Sequence, residues 1–101
     1  PFALSFEPPD HARFGALQLA RHSLARGGTT PAAMNAANEV AVQAFLDGLI
    51  SFPGITEVVS EVVTNHRSSA ATTLEDVLGA DRLAREQARA ACRSRLLPAK
   101  V

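Results

Sequence analysis

Apolar residues recur at helical spacing in the segment that follows Pro8-Pro9-Asp10. Phe14, Leu17 and Leu24 share one side of a helix drawn through this segment, as in an amphipathic helix of a packed protein. Asp10 precedes it and suits a helix N-cap, and Gly27-Gly28 follows it as a stop signal. The pattern therefore predicts a helix over residues 11–26.

The second segment is apolar on most sides. It begins at Thr29-Thr30-Pro31, where a threonine cap followed by a proline is a typical helix start. One wide apolar face holds Met34, Ala37, Ala41, Val42, Phe45 and Leu49, and Val40 and Ala44 add a second. A helix this apolar is normally surrounded by others. We expect a central helix over residues 31–47, ended by Gly48.

A third start signal stands at Ser51-Phe52-Pro53. The next apolar residues are β-branched, which favours a strand, but their spacing is helical, and the period is the stronger indication. Those residues are Ile55, Val58, Val59, Val62 and Val63. The pattern predicts a helix over residues 54–65, followed by a polar loop over 66–72.

The last segment is polar and divided by a glycine. Thr73 and Asp76 have the spacing of a reciprocal cap, which predicts a short helical turn over residues 74–78, interrupted by Gly79. Asp81 can cap a final helix that runs to about Leu97. The apolar face of this helix is thin and consists mostly of Ala84, Ala88 and Ala91. Asp81–Arg85 and Arg82–Glu86 are possible ion pairs between successive turns.

Residues 1–9 follow a different pattern. Phe2, Leu4 and Phe6 alternate with other residues as in a strand, and Pro8-Pro9 ends the run. No other segment of the chain offers a partner strand, so these residues predict an extended arm. The predicted fold is all-α, a small four-helix bundle preceded by a short extended arm: arm 1–9, bundle 10–97, tail 98–101.

Composition narrows the choice of partners. The 101 residues include ten basic and ten acidic side chains, so the formal net charge is zero, which argues against a broad nucleic-acid or anionic membrane surface. Trp and Tyr are absent, which removes two of the usual base-stacking side chains. No apolar run has the length of a membrane span. A single cysteine, Cys92, cannot form an internal disulfide.

The residue types that carry chemistry are scattered. His11, His22 and His66 lie in different segments without a metal-ligand spacing, and we expect three exposed histidines and a semi-buried Cys92 thiol. No catalytic, cofactor-binding or metal-binding residue is predicted.

Two further features admit a binding function. Gly27 to Thr30 precedes a helix N-terminus and could hold an anion, although a tight turn between antiparallel helices is the simpler interpretation. The late arginines could form a recognition helix, although a solvated helix face is favoured; they are Arg82, Arg85, Arg89, Arg93 and Arg95.

Asn35 and Asn38 are the most unusual residues of the apolar second helix. Asparagine is a poor helix former, and Asn38 falls within the wide apolar face. A buried amide without a partner costs about 1–3 kcal/mol. Either the pair contacts a ligand, or the amides bind the backbone of a neighbouring loop or arm. We favour the second interpretation and predict that Asn35 and Asn38 form a structural polar core.

Four runs of this sequence resemble a known protein family. The runs LSFEPPDHARF, ALQLA, GGTTPAAMNAANEVAVQAFLDGLISFPGI and TLEDVLGADRLAREQAR resemble the C-terminal domain of 1-deoxy-D-xylulose 5-phosphate reductoisomerase. The resemblance extends from about Leu4 to about Ala90, and its most specific part is the block from Asn35 to Glu39.

The resemblance implies a longer enzyme of bacterial or plastid isoprenoid synthesis, in which a helical bundle supports the catalytic domain of the same chain. Such an enzyme converts 1-deoxy-D-xylulose 5-phosphate to 2-C-methyl-D-erythritol 4-phosphate with NADPH and a divalent metal, Mg²⁺ or Mn²⁺. The resemblance also implies that this enzyme is a homodimer in the bacterial cytoplasm, or in the plastid for a plant-type source. The family's Rossmann turn, acidic metal motif and substrate loop have no counterpart here.

We therefore expect a fragment that is structural by itself and inactive alone, with no nucleic-acid or membrane partner. An independent α-helical interaction module without catalysis is the alternative, and a helical DNA-binding protein is a third hypothesis.

Overall fold

The computed structural model describes residues 11–98, and the side chains of residues 17–98. Four helices follow one another in this range, and it contains no strand, which confirms the all-α prediction. They are α1 (His11–Arg26), α2 (Thr30–Leu46), α3 (Phe52–Asn65) and α4 (Leu74–Arg93). The predicted arm 1–9 and tail residues 99–101 lie outside the described residues, and the domain bounds 10–97 stay a prediction.

The first three helices match the predicted ones to within two residues at each end. Gly27 and Gly28 both have positive φ angles, of 64° and 57°, and turn the chain from α1 into α2, as glycine permits without a steric penalty. Ser51 caps α3, because its side chain accepts a hydrogen bond from the Gly54 backbone N–H. Local signals in the sequence thus determine where these helices begin and end.

The fourth helix corrects the prediction. α4 is one continuous helix through Gly79, where the sequence predicted a short turn and a separate helix. Thr73 and Asp76 form the predicted capping box, and a single glycine inside a helix costs only about 1 kcal/mol, so the capped helix continues. It ends at Arg93, four residues before the predicted Leu97, because the Leu97 N–H donates to the Leu49 carbonyl instead of continuing the helix.

The core consists mainly of small side chains. α2 packs against α1, α3 and α4, which confirms its central position, and α3 also contacts all three other helices. The buried residues of α2 are Thr30, Ala33, Ala36, Ala37, Ala41 and Ala44, and those of α4 are Ala80, Ala84, Ala88, Ala91 and Cys92. The bulk is supplied by four valines of α3 and by Ile50.

This arrangement corrects the predicted face of α2. Ala37 and Ala41 are buried as predicted, but Met34, Val42 and Phe45 are only partly buried and Leu49 is 48% exposed. Alanine on α2 meets alanine on α4, and small residues let two helix backbones approach closely. Larger side chains are therefore displaced towards the rims of the contact.

Candidate functional site

Asn35 and Asn38 lie on the surface of the described bundle. Both side chains are exposed, and Asn35 Nδ2 donates to Glu39 Oε2 at 3.2 Å within the helix. The described residues thus do not bury the pair, and the structural polar core of Asn35 and Asn38 stays a prediction. The apolar face of α2 is turned towards its alanines, which moves both asparagines outside the contact. That the amides bind another segment stays a prediction.

Asn38 instead lines a groove of about 830 Å³ between α2 and the C-terminal part of α4. Its apolar lining includes Val42, Leu49, Cys92 and Leu96. Glu39 and Gln43 of α2 line one side of the groove, together with Asp47 directly after the helix. Arg85, Arg89 and Arg93 of α4 line the other side. The groove therefore has an apolar lining with acidic and polar groups on one helix and basic groups on the other.

An ion pair joins the two helices beside this groove. Arg85 Nη2 lies 2.7 Å from Glu39 Oε1, and Arg85 Nε lies 2.7 Å from Asp81 Oδ1, which confirms the predicted Asp81–Arg85 pair. The hydrogen bond from Arg85 lowers the pKa of Glu39, and the two carboxylates raise the pKa of Arg85. This pairing fixes α2 against α4 on the surface, with a modest contribution to stability.

A second arginine connects the segment after α4 to α3. Arg95 Nε lies 3.3 Å from Glu57 Oε1, and its Nη2 lies 3.0 Å from Glu61 Oε1. Two of the five late arginines are thus committed to carboxylates of neighbouring helices, which supports the interpretation of a solvated, structural face over that of a DNA-recognition helix.

His66 is buried, which corrects the prediction that the histidine is exposed. Its ring Nε2 lies 2.8 Å from Thr29 Oγ1, and the residue is 5% exposed. Burial, and next the nearby Arg26 guanidinium, lower the pKa of His66. A neutral imidazole can accept a hydrogen bond from the Thr29 hydroxyl at Nε2. The residue thus fastens the 66–72 loop to the start of α2, and only the tertiary contact reveals this.

The Gly27–Thr30 segment is a tight turn, as favoured from the sequence. The Thr29 N–H donates to the Ser69 carbonyl at 2.9 Å, and the Thr30 N–H donates to the Gly27 carbonyl at 3.1 Å. Thr29 makes no side-chain cap bond to α2, contrary to the predicted threonine cap, because its hydroxyl is used by His66 and by the Ser69 N–H. These N–H groups are already occupied and do not point to a bound anion.

The remaining reactive groups are dispersed. Cys92 is a free, buried thiol, and burial raises its pKa, which disfavours the reactive thiolate. His22 is exposed, as predicted. Within the described range, no group of three or more His, Cys, Asp and Glu side chains could hold a metal ion. None of its helices is long and apolar enough to cross a membrane.

Comparison with known proteins gives a consistent result. The family described as DXP reductoisomerase C-terminal domain matches residues 2–87. The 1-deoxy-D-xylulose 5-phosphate reductoisomerase of Cupriavidus pinatubonensis is 53% identical over 88 residues, which are 87% of this chain and 22% of that protein. The enzyme of the same name from Geobacter metallireducens is 50% identical over 86 residues, 85% of this chain and 22% of that protein.

A solved structure shows the same helical arrangement. The 1-deoxy-D-xylulose 5-phosphate reductoisomerase from Zymomonas mobilis, in complex with NADPH, matches with a TM-score of 0.78 and 47% sequence identity. The match covers 89% of this chain and 24% of that one. The chain thus spans less than a quarter of the length of these relatives. On the family match and these identities, the chain belongs to the family of DXP reductoisomerase C-terminal domains.

Proposed function

We propose that this chain is the C-terminal supporting domain of an NADPH-dependent 1-deoxy-D-xylulose 5-phosphate reductoisomerase. The whole enzyme would convert 1-deoxy-D-xylulose 5-phosphate to 2-C-methyl-D-erythritol 4-phosphate in non-mevalonate isoprenoid biosynthesis. The family match over residues 2–87 carries this proposal, and the names of the relatives supply the substrate.

In this proposal the chain contributes structure, and the catalytic domain of the same polypeptide contributes the chemistry. Several groups here that could react have partners or are buried: His66 Nε2 lies beside the Thr29 hydroxyl, Arg85 pairs with Glu39 and Asp81, and Cys92 lies in the core. We assign no catalytic, NADPH-binding or metal-binding residue to this chain.

In this proposal the enzyme's cofactors bind outside the described residues. Their carboxylates, imidazoles and thiol form no three-ligand group for Mg²⁺ or Mn²⁺, and the N–H groups of Thr29 and Thr30 at the start of α2 are occupied. NADPH and the divalent metal would bind elsewhere in the longer chain. A homodimeric enzyme in the bacterial cytoplasm, or in a plastid for a plant-type source, completes the proposal.

Domain replacement tests this function. The C-terminal domain of the Zymomonas mobilis enzyme is replaced by this chain, and turnover is followed as the loss of NADPH absorbance with 1-deoxy-D-xylulose 5-phosphate and Mn²⁺. We expect the chimera to turn over substrate, whereas the enzyme truncated before this domain loses most of its activity. The 101-residue chain alone should give none. A chimera no more active than the truncated enzyme, or turnover by the chain alone, would contradict the proposal.

A further inference from the structure

Large apolar side chains are concentrated at one end of the bundle surface. Ten large hydrophobic residues are exposed in the described part, although the core is built mainly from alanine and valine. Five of them lie at the ends of the α2–α3 connection, within it, or in the segment after α4. We call this set the leucine end: Leu46, Leu49, Phe52, Leu96 and Leu97, whose exposed fractions lie between 46% and 69%.

Backbone and ring contacts hold the leucine end together. The Leu97 N–H donates to the Leu49 carbonyl at 2.8 Å, which joins the segment after α4 to the α2–α3 connection. The Phe52 ring meets Phe45 edge-on with centroids 5.5 Å apart, and Leu49 and Leu96 line the same groove. Leu49, Leu96 and Leu97 thus come from two distant parts of the sequence and meet on one surface, and Leu46 and Phe52 lie three residues before and after Leu49 in the chain.

An exposed surface of this kind indicates an interaction site. Single exposed leucines are ordinary, but contiguous apolar patches on soluble proteins mark places where another surface packs. Burying such side chains yields about 25 cal/mol per Å² of apolar area removed from water. The leucine end therefore favours a partner with an apolar surface.

The groove beside the leucine end adds a charge preference. Arg89 and Arg93 line it from α4, and neither belongs to the ion pairs found among the described residues. On α2, Gln43 Nε2 donates to Asp47 Oδ1 at 2.9 Å, so that carboxylate already has a partner. A partner that carries carboxylates next to its apolar side chains would complement the two arginines.

We infer that the leucine end is the surface on which the remaining part of the reductoisomerase chain packs, with its carboxylates facing Arg89 and Arg93. This inference rests on the proposed function. The matching relatives carry more than three quarters of their length outside the matched region. Covalent connection gives that part an effective concentration on the order of millimolar, whereas a second copy must associate from dilute solution. The connected occupant is therefore favoured.

Thiol labelling in the chimera tests this surface. Leu46→Cys and Phe52→Cys place one probe each in the leucine end. Leu24→Cys and Leu74→Cys are matched controls, because both leucines are 72% exposed and lie outside it. Alkylation rates are measured by peptide mass spectrometry in the folded chimera and in urea. We expect positions 46 and 52 to be labelled at least about tenfold more slowly in the folded state than the controls are.

Two results overturn the inference. Labelling of positions 46 and 52 as fast as at positions 24 and 74 would show that the leucine end is uncovered. Protection that disappears on dilution of the chimera would show that a second copy covers it. Turnover without protection rejects this surface and leaves the proposed function standing, whereas protection without turnover rejects the proposed function alone. Arg89→Glu with Arg93→Glu should reduce the protection, and an unchanged rate rejects the carboxylate contact.

Discussion

The Thr29 hydroxyl oxygen lies 2.8 Å from Nε2 of His66, and both side chains are buried. The same hydroxyl accepts the Ser69 N–H at 3.2 Å. Arg26 secures the other side of the loop by donating to the carbonyls of Val63 and His66 at 2.9 and 2.6 Å. One threonine thus fastens the loop between α3 and α4 to the turn between α1 and α2.

Replacing that threonine should destabilise the bundle. Thr29→Val keeps the shape but removes the hydroxyl, which leaves His66 Nε2 and the Ser69 N–H without their partner. Loss of buried hydrogen bonds of this kind costs about 1–3 kcal/mol. Urea unfolding of the 101-residue chain measures the difference. Thr64→Val, at an exposed position of α3, is the control and should change stability by less than about 0.5 kcal/mol. Equal effects at both positions would contradict the role of Thr29.

Burial of His66 predicts a dependence on pH. Its pKa is lowered in the folded state from an ordinary value of 6.5, so the unfolded chain takes up the proton first as the pH falls. The contribution of neutral His66 is fully present above 6.5 and is lost as the pH falls from there towards the folded-state pKa. Stability relative to His66→Gln should therefore decrease as the pH is lowered below 6.5.

The matched control for this pH effect is His22→Gln, because His22 is exposed on α1. The pH profile of its stability is compared with the profiles of the parent chain and of His66→Gln. Parallel pH profiles for the parent chain and His66→Gln would show that His66 does not cause the loss.

Gly28 is predicted to tolerate alanine less well than Gly27. Both have positive φ angles, so alanine carries a similar backbone penalty at each, about 1 kcal/mol. At Gly28 a Cβ would also collide with the Ser69 carbonyl oxygen, whereas at Gly27 it would meet open space. Thermal unfolding of the two variants should show the larger loss for Gly28→Ala. Equal melting temperatures would contradict the close approach of the 66–72 loop.

Gly79→Ala should stabilise the protein. The residue lies inside α4, and an added Cβ would meet no atom within 4 Å. Removing glycine from a helix interior gains about 0.5–1 kcal/mol. Gly54→Ala is the comparison, because its Cβ would lie 3.3 Å from Ser51 Oγ and 3.4 Å from Ile50 Cβ, so crowding offsets the gain. Destabilisation by Gly79→Ala would indicate that α4 is interrupted there.

Asn38→Leu should have different effects on the 101-residue chain and on the longer chimera. In the 101-residue chain we expect a change below about 0.5 kcal/mol, because the side chain is exposed. If the amide binds another segment of the longer enzyme, the same substitution should lower the melting temperature of the chimera. A decrease of several degrees in the melting temperature of the 101-residue chain would instead support the buried polar core predicted from the sequence.

The sequence by itself determined the number of helices, most of their ends and the capping box of α4. These features depend on neighbouring residues: Ser51 with Gly54, Thr73 with Asp76, and glycines that permit positive φ angles. The block from Asn35 to Glu39 also identified the family, although not through any geometry that the asparagines adopt.

Only the tertiary structure decided which side of each helix is buried. Alanines on α2 and α4 form the close contact, so Asn35 and Asn38 remain exposed and larger side chains move to the rims. The burial of His66, the continuity of α4 through Gly79 and the assembly of the leucine end also depend on contacts between distant segments. Helical periodicity defines faces, but it does not choose between two apolar faces of one helix; the closeness of the neighbouring backbone makes that choice.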